Sequence, residues 1–510
     1  MKKKLLATLA LALTLVLCLL PATALAKEWD LANGEVVVYT EDGKQYVRQA
    51  GDTVQDADPT ITTGGERVDD ECIIVESRDG ATVNLALKDV VVVSSTTILN
   101  IKGDTAAVVT LVSDNSMEVD YTHSKYAAVH VSSGSLTIAG SGTLDVKTNA
   151  EGAGIGSEDY EDFTGTVHIT DSAKVDVTVL DVSSDGAAIG SGAYRDFEGQ
   201  VRIDGNANVT AGGAASDDSV YGRTAIGAGY KGDFNGSVVI GGNATVDATG
   251  RADSAAIGSA KKGSFSGGSI VIQDNANVTA RGEDEGPAIG AADDEAMNGT
   301  IRITGNALVS VQGGDRASDI GMEGYGEEGE GAIEISGSAK VVKIDGSTLI
   351  IGNEQADRPS NIQITLGKNV TLNGVSGADV LKGNGGDAVE INSTLPVETV
   401  VGEPEEPTEV YYAQGEAFRV VDKDGNAVPY EMTLEDGILT ITAPKGAKLT
   451  GALEDMQLLS TKGATELRFG TSVLPIAELY HGVGMQGDTV VLTKNGKLSI
   501  GGADYSSLLK

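Results

Sequence analysis

Cysteine is nearly absent. Cys18 lies in an apolar leader, so only Cys72 remains after it, and one thiol cannot form an intramolecular disulfide. Aromatic residues make up 4% of the chain, with Trp29 the single tryptophan, which excludes an extended indole platform for a ligand. Only 10 prolines stand beside 68 glycines, a composition suited to many short strands joined by tight turns. Positive charge is also scarce. A formal net charge of -37 leaves no basic cluster to neutralise phosphates, so nucleic acid is excluded as a partner.

The leader is residues 1–26. Lys2, Lys3 and Lys4 precede an apolar run over 5–20, Pro21 ends it, and Ala24-Leu25-Ala26 supplies small residues for cleavage. This predicts a secretory signal peptide and a secreted, extracellular or cell-surface destination, with no membrane insertion after cleavage. Leu17 before Cys18 argues against a lipid anchor. No later run approaches the ~20 apolar residues of a spanning helix.

Six Ile-Gly pairs recur at Ile155, Ile189, Ile226, Ile257, Ile289 and Ile320, with spacings of 34, 37, 31, 32 and 31 residues. One copy reads AAIGSGAYRDFEGQVRIDGNANVTA and the next TAIGAGYKGDFNGSVVIGGNATVDA. After each Ile-Gly come a Phe or Met and an alternating strand. Val167, Val201, Val238, Ile270, Ile301 and Ile333 fall in one inward column. His168, Arg202, Val239, Val271, Arg302 and Glu334 form the outward row beside it. A second strand repeats the alternation with Val175, Val209, Val246, Val278, Val309 and Val341 inside. Ser172, Asn206, Asn243, Asn275, Asn306 and Ser338 stand in the turn between the two strands, where amides at the ~4.8 Å strand spacing can bond along an axis.

Units with three short strands and no 3.6-residue period predict an all-β, right-handed parallel β-helix. The expected organisation is a leader over 1–26, an N-terminal cap over 27–71, β-helix repeats over 72–400, a Pro- and Glu-rich linker over 401–409, and a small β domain over 410–510. Hairpin signals in that last domain are Asp424-Gly425 and Asn495-Gly496.

The run KYAAVHVSSGSLTIAGSGTLDVKTNAEGAGIGS, followed by the AAIGSG motif, resembles the secreted bacterial β-helix proteins of the pectate-lyase-like superfamily described as carbohydrate-binding. The resemblance covers about residues 70–345 and is carried by core and turn residues. It implies a β-helix that binds polysaccharides or surface glycans, with calcium in some members, and it transfers no ligand-binding motif residue by residue. Leu395-Pro396-Val397-Glu398-Thr399 lacks the Gly and the apolar tail of a sortase signal.

Three groups are candidates for chemistry. Glu158, Asp159, Glu161, Asp162, Asp196 and Asp233, with Asp293, Asp294 and Glu295 further along, place carboxylates in the loops after Ile-Gly, where oxygens from neighbouring loops could hold calcium. A solvated acidic rim explains them more simply, because their positions shift between copies. Tyr160, Tyr194 and Tyr230 are expected at matching loop positions in three successive copies and could stack on a sugar ring, although packing against the coil is an equal alternative. Asp176 and Asp247 lie two coils apart in an outward row with Thr210, Thr279 and Ser310. Their spacing of ~10 Å is marginal for the roughly 6.5–9.5 Å of inverting glycoside hydrolysis. The histidines are scattered. Asp422-Lys423-Asp424-Gly425-Asn426 begins like a calcium loop, but Ala427 stands where glycine is required.

The resulting expectation is a secreted, non-catalytic glycan-binding or adhesive protein. The alternatives are a calcium-dependent polysaccharide lyase or glycoside hydrolase and, third, a structural envelope spacer.

Overall fold

The structure, a computed structural model, describes residues 27–122, 124–180, 185–213, 222–292, 296–323, 329–353 and 360–399. Of the C-terminal part it describes 418–421, 431–435, 437–443, 445–453, 456, 459, 464–476, 479 and 489–510. The leader and the linker over 401–409 lie outside the described residues, as do Asp293, Asp294, Glu295, His123, His481 and 422–427. The chain divides into two compact units, 1–401 and 402–510.

The first unit is a right-handed parallel β-helix with three long sheets of 13, 12 and 14 strands, called here sheets 1, 2 and 3. One coil shows the order. Ile189–Gly190 belongs to sheet 3, Gln200–Ile203 to sheet 1 and Asn208–Gly213 to sheet 2, after which the chain returns to sheet 3 at Ile226–Gly227. Every strand of this coil pairs in parallel with its counterpart in the next.

The inward columns predict the register. Val167, Val201, Val238, Ile270, Ile301 and Ile333 are successive partners, and so are the six valines of sheet 2. All the members of the sheet 1 column are fully buried. Each contributes about 1.5–3 kcal/mol of hydrophobic stabilisation, so a slip of one residue would forfeit the whole column. The outward row of sheet 1 is less free than alternation implies. His168 and Arg202 both bind Asp204, Arg302 binds Glu334, and Val239 and Val271 between them are buried.

The corners are built from stacks. Asn243 donates its amide to Asn206 Oδ1 at 3.1 Å, Asn275 to Asn243 at 3.2 Å and Asn306 to Asn275 at 3.3 Å, an asparagine ladder along the axis. Phe163, Phe197 and Phe234 stack at ring-centroid distances of 5.2 and 4.9 Å, and Phe265 meets Phe234 edge-on at 4.7 Å, all fully buried. Glycine follows two residues later because a Cβ at Gly199 would lie 2.6 Å from the Phe163 ring.

Residues 27–71 do more than cap. Thr60–Thr62 pairs with Val83–Leu87 in sheet 1, Arg67–Asp69 with Val91–Ser94 in sheet 2, and Val36–Glu41 with Ile73–Ser77 in sheet 3. The first coil thus begins before Cys72. The cap proper is an antiparallel excursion, Lys44–Gln49 and Asp52–Gln55, whose last strand is exposed and, apart from Val54, polar, which blunts the sheet edge. Sequence periodicity missed the coil because this excursion interrupts it.

Cys72 donates its thiol to Glu35 Oε2 at 3.3 Å. Burial, then the hydrogen bond to Glu35 and the charges of Glu35 and Glu71, push the thiol up to about 12. We therefore expect Cys72 to resist a disulfide reagent at pH 8 in the native protein and to react within seconds in guanidinium. Rapid native labelling would refute this placement.

The second unit has its own core, with Leu439, Ile441, Leu449, Leu467, Phe469 and Leu492 buried between a five-stranded and a four-stranded sheet. Asn495-Gly496 forms the expected hairpin, joining Thr489–Thr493 to Leu498–Ile500, with Gly496 at φ +83.

Candidate functional site

The Ile-Gly strands are two residues long in the first four copies and three in the last two, and each glycine fixes where the next loop leaves. Four residues after that glycine, Tyr160, Tyr194, Lys231 and Lys262 share φ of +61, a left-handed conformation that side chains other than glycine's enter at a cost. Counting from Ile-Gly therefore corrects the alignment of the tyrosines. Tyr160 and Tyr194 match, whereas Tyr230 belongs to the preceding column, with Asp159 and Ala193.

The rings nevertheless meet. Tyr160 stacks on Tyr194 with centroids 5.2 Å apart and planes 5° from parallel. Tyr230 meets Tyr194 edge-on at 5.6 Å, and Lys231 lies 5.0 Å from both of these rings. Exposure falls along the ladder: Tyr160 is 62% exposed, Tyr194 half-buried and Tyr230 5% exposed. The result is one open aromatic face backed by a second ring.

The loop carboxylates are engaged by the fold. Glu158 accepts from Thr97 and pairs with Lys125 at 3.3 Å. Glu161 receives His130 Nε2 at 2.7 Å, and His130 Nδ1 lies 3.2 Å from Asn100 Oδ1. Burial alone would raise the Glu161 carboxyl. The His130 contact, the Ser132 hydroxyl and the Glu158 amide outweigh it and hold the carboxyl below its ordinary value. Asp162, Asp196 and Asp233 do keep a column, contrary to the shifting pattern read from sequence. Asp162 accepts the Asp196 amide, Asp196 the Asp233 amide and Asp233 the Ser264 amide, at 3.3, 2.9 and 3.0 Å. Among the described residues no three His, Cys, Asp or Glu side chains are grouped as a cation would need.

Asp159 differs. It is 6% exposed and its Oδ1 is buried without a hydrogen-bond partner. Burial, then the charge of Glu151 and a hydrogen bond shared with it, and the charge of Asp185, push the carboxyl up to about 7 against the lowering effect of the Tyr160 amide. Glu151 and Asp185 escape a reading centred on the loops after Ile-Gly. Their signal is positional, since each stands four residues before its isoleucine.

Asp176 and Asp247 lie on sheet 2, away from the tyrosine loops, so the structure does not bring these two groups together. Thr210 separates them, as expected, in the ladder Asp176, Thr210, Asp247. The row extends one coil earlier to Asp145, the direct partner of Asp176, which the inward Leu144 and Val146 mark in the sequence. A groove of about 460 Å³ over this row is lined by Asp114, Asn115, Ser116, Asp145, Lys174 and Asp176, among others. Two of its carboxylates are paired, Asp145 with Lys147 at 2.6 Å and Asp176 with Lys174 at 2.9 Å, and further along the row Asp247 pairs with Arg281 at 2.5 Å.

Among the described residues no helix is long and apolar enough to cross a membrane. Compared with known proteins, the chain matches no family model, no curated protein and no solved structure.

Proposed function

We propose that this protein is an exported, non-catalytic glycan binder whose contact face is the tyrosine ladder. The observation that carries this reading is the open ring of Tyr160, held flat against Tyr194 beside the Lys231 ammonium. A flat apolar ring with a hydroxyl at its edge suits the face of a pyranose and its polar rim. Rigid coils on either side would let weak contacts add along a polymer. The resemblance to carbohydrate-binding β-helix proteins points the same way.

Binding of this kind needs no resident cation, because five of the six loop carboxylates already serve the fold. The paired state of Asp145, Asp176 and Asp247 argues against catalysis there, since a general acid or base must exchange its proton with substrate. A second reading, a hydrolase or lyase, rests on Asp145 and Asp176 facing one groove from adjacent coils.

A panel of polysaccharides offered to the purified protein, with calcium and with chelator, separates the readings. We expect retention of at least one polymer, unchanged by chelator, with no release of reducing or unsaturated ends. Released ends would overturn the non-catalytic reading. Loss of retention on chelation would restore a calcium-bridged one, and no retention at all would favour a structural spacer.

A further inference from the structure

Four successive loops after Ile-Gly share one backbone device. The Tyr160 amide donates to the Ala193 carbonyl at 3.2 Å, the Tyr194 amide to the Tyr230 carbonyl at 2.7 Å and the Lys231 amide to the Lys261 carbonyl at 3.1 Å. Each acceptor directly precedes the next member of the column Tyr160, Tyr194, Lys231 and Lys262, so the four lie in register along the coil axis at the ~4.8 Å strand spacing. All four sit at φ +61, where glycine would be free of strain. A large side chain at each of these positions is carried at a conformational cost, which marks the side chain as what the position supplies.

The column changes chemistry halfway along. Two aromatic rings are followed by two ammonium groups, both on exposed residues, in a chain whose formal net charge is -37. Lys125 is paired with Glu158 at 3.3 Å and Lys261 with Asp253 at 2.5 Å, whereas among the described residues Lys231 and Lys262 enter no ion pair. Asp233, two residues after Lys231, is engaged by the Ser264 amide at 3.0 Å and the Ser266 hydroxyl at 3.3 Å. Lys231 lies 5.0 Å from the rings of Tyr194 and Tyr230, and an aromatic face positions an ammonium without cancelling its charge.

We propose that Lys231 and Lys262 are the anion-binding end of the tyrosine ladder, so that the face takes an acidic glycan laid along the coil axis, with a sugar ring on Tyr160 and carboxylate or sulfate groups on the two ammoniums. This rests on the tyrosine ladder being the contact face. Lys231 and Lys262 stand two and three coils beyond Tyr160, about 10 and 14 Å by the strand spacing, so a chain of a few sugars reaches from ring to cations. Lysine is a point charge on a flexible stem and lacks the planar fork that selects one oxyanion geometry, so it accepts carboxylate and sulfate alike. Recognition is direct. The ammoniums stand where a bridging cation would otherwise be needed, and chelator leaves them intact. They also offset, at this one place, the repulsion that a strongly acidic chain exerts on a polyanion.

The test offers alginate, hyaluronan and dextran sulfate to the purified protein in chelator, each beside its carboxyl-reduced or desulfated form. Wild type should bind at least one acidic polymer about tenfold more tightly than its neutral form at low salt, with the difference closing near ~1 M salt. Lys262→Gln should lose about two- to fivefold on the acidic polymer alone, and the double variant Lys231→Gln, Lys262→Gln should bind both forms equally. Lys231→Arg should keep the preference, and Tyr160→Ala should weaken both forms alike. A preference confined to carboxylated or to sulfated polymers would support the inference and name the substituent. Equal binding of acidic and neutral forms by wild type, or lysine variants that weaken both forms alike, would overturn it and leave the glycan reading standing. Retention of no polymer in either form would sink both.

Discussion

Gly227→Ala is expected to abolish cooperative folding of the central coils. Gly227 has φ +140, and a Cβ there would lie 2.1 Å from the Gly258 carbonyl oxygen of the next coil. No rotamer relieves this clash, because the atom is the first of the side chain and its neighbour is backbone. Gly190 repeats the relation towards Gly227 at 1.9 Å, and Gly258 towards Gly290 at 2.0 Å, so the glycine ladder sets how closely sheet 3 can stack. Strain at such a φ and forced overpacking each cost about 1–3 kcal/mol, and together they amount to a large share of a domain's net stability. In a solenoid the loss falls on one coil interface, which propagates unfolding. Gly346→Ala is the control, with φ +72 but no atom within 4 Å of its Cβ. Thermal melts followed by circular dichroism should show a far larger loss for Gly227→Ala. Equal shifts would mean that the sheet 3 contact is not what glycine protects.

Lys343→Met should cost about 3–5 kcal/mol, the usual penalty for stranding one member of a buried ion pair. Lys343 Nζ lies 2.6 Å from Asp319 Oδ1, with side-chain exposures of 7% and 0%. Asp319 also accepts the Gly313 amide at 2.8 Å and the Ile350 amide at 2.9 Å, so one carboxylate ties the corner before sheet 3 to the coil that follows. Burial already raises the Asp319 carboxyl, opposed by Lys343 and the two amides. Without Lys343 it should rise further. A folded value above the unfolded one means stability that is present at low pH and lost as pH rises through the folded value. The variant should therefore be relatively more stable at pH 5 than at pH 8. Adding Asp319→Asn should recover much of the loss, since the amide needs no counter-charge. A double variant as unstable as the sum of the two single ones would contradict the pairing.

Legibility in the sequence followed physical type. Inward columns were readable because alternation has a period of two and burial demands uniform Ile and Val, as at Val201 and Ile203. The asparagine and phenylalanine stacks were readable because identical residues recur at one coil's spacing. Tyr230 was placed one position out, because matching residue type across copies overrode the count from Ile226. The roles of Asp162, Asp196 and Asp233 were hidden, since their partners are backbone amides and carry no side-chain signature. Glu151 and Asp185 lie in corners of varying length, where only distance from the following isoleucine fixes equivalence. The Asp319–Lys343 pair joins a corner to a strand of another sheet, so the strand pattern alone does not announce it.

The most direct measurement is equilibrium binding of one retained polysaccharide to Tyr160→Ala and to Asp176→Ala, side by side with the unaltered protein. Losing the exposed ring should weaken binding about tenfold, roughly 1.4 kcal/mol, while the sheet 2 substitution leaves it unchanged. Weakening confined to Asp176→Ala would contradict the account and move the contact face to the groove over Asp145 and Asp176.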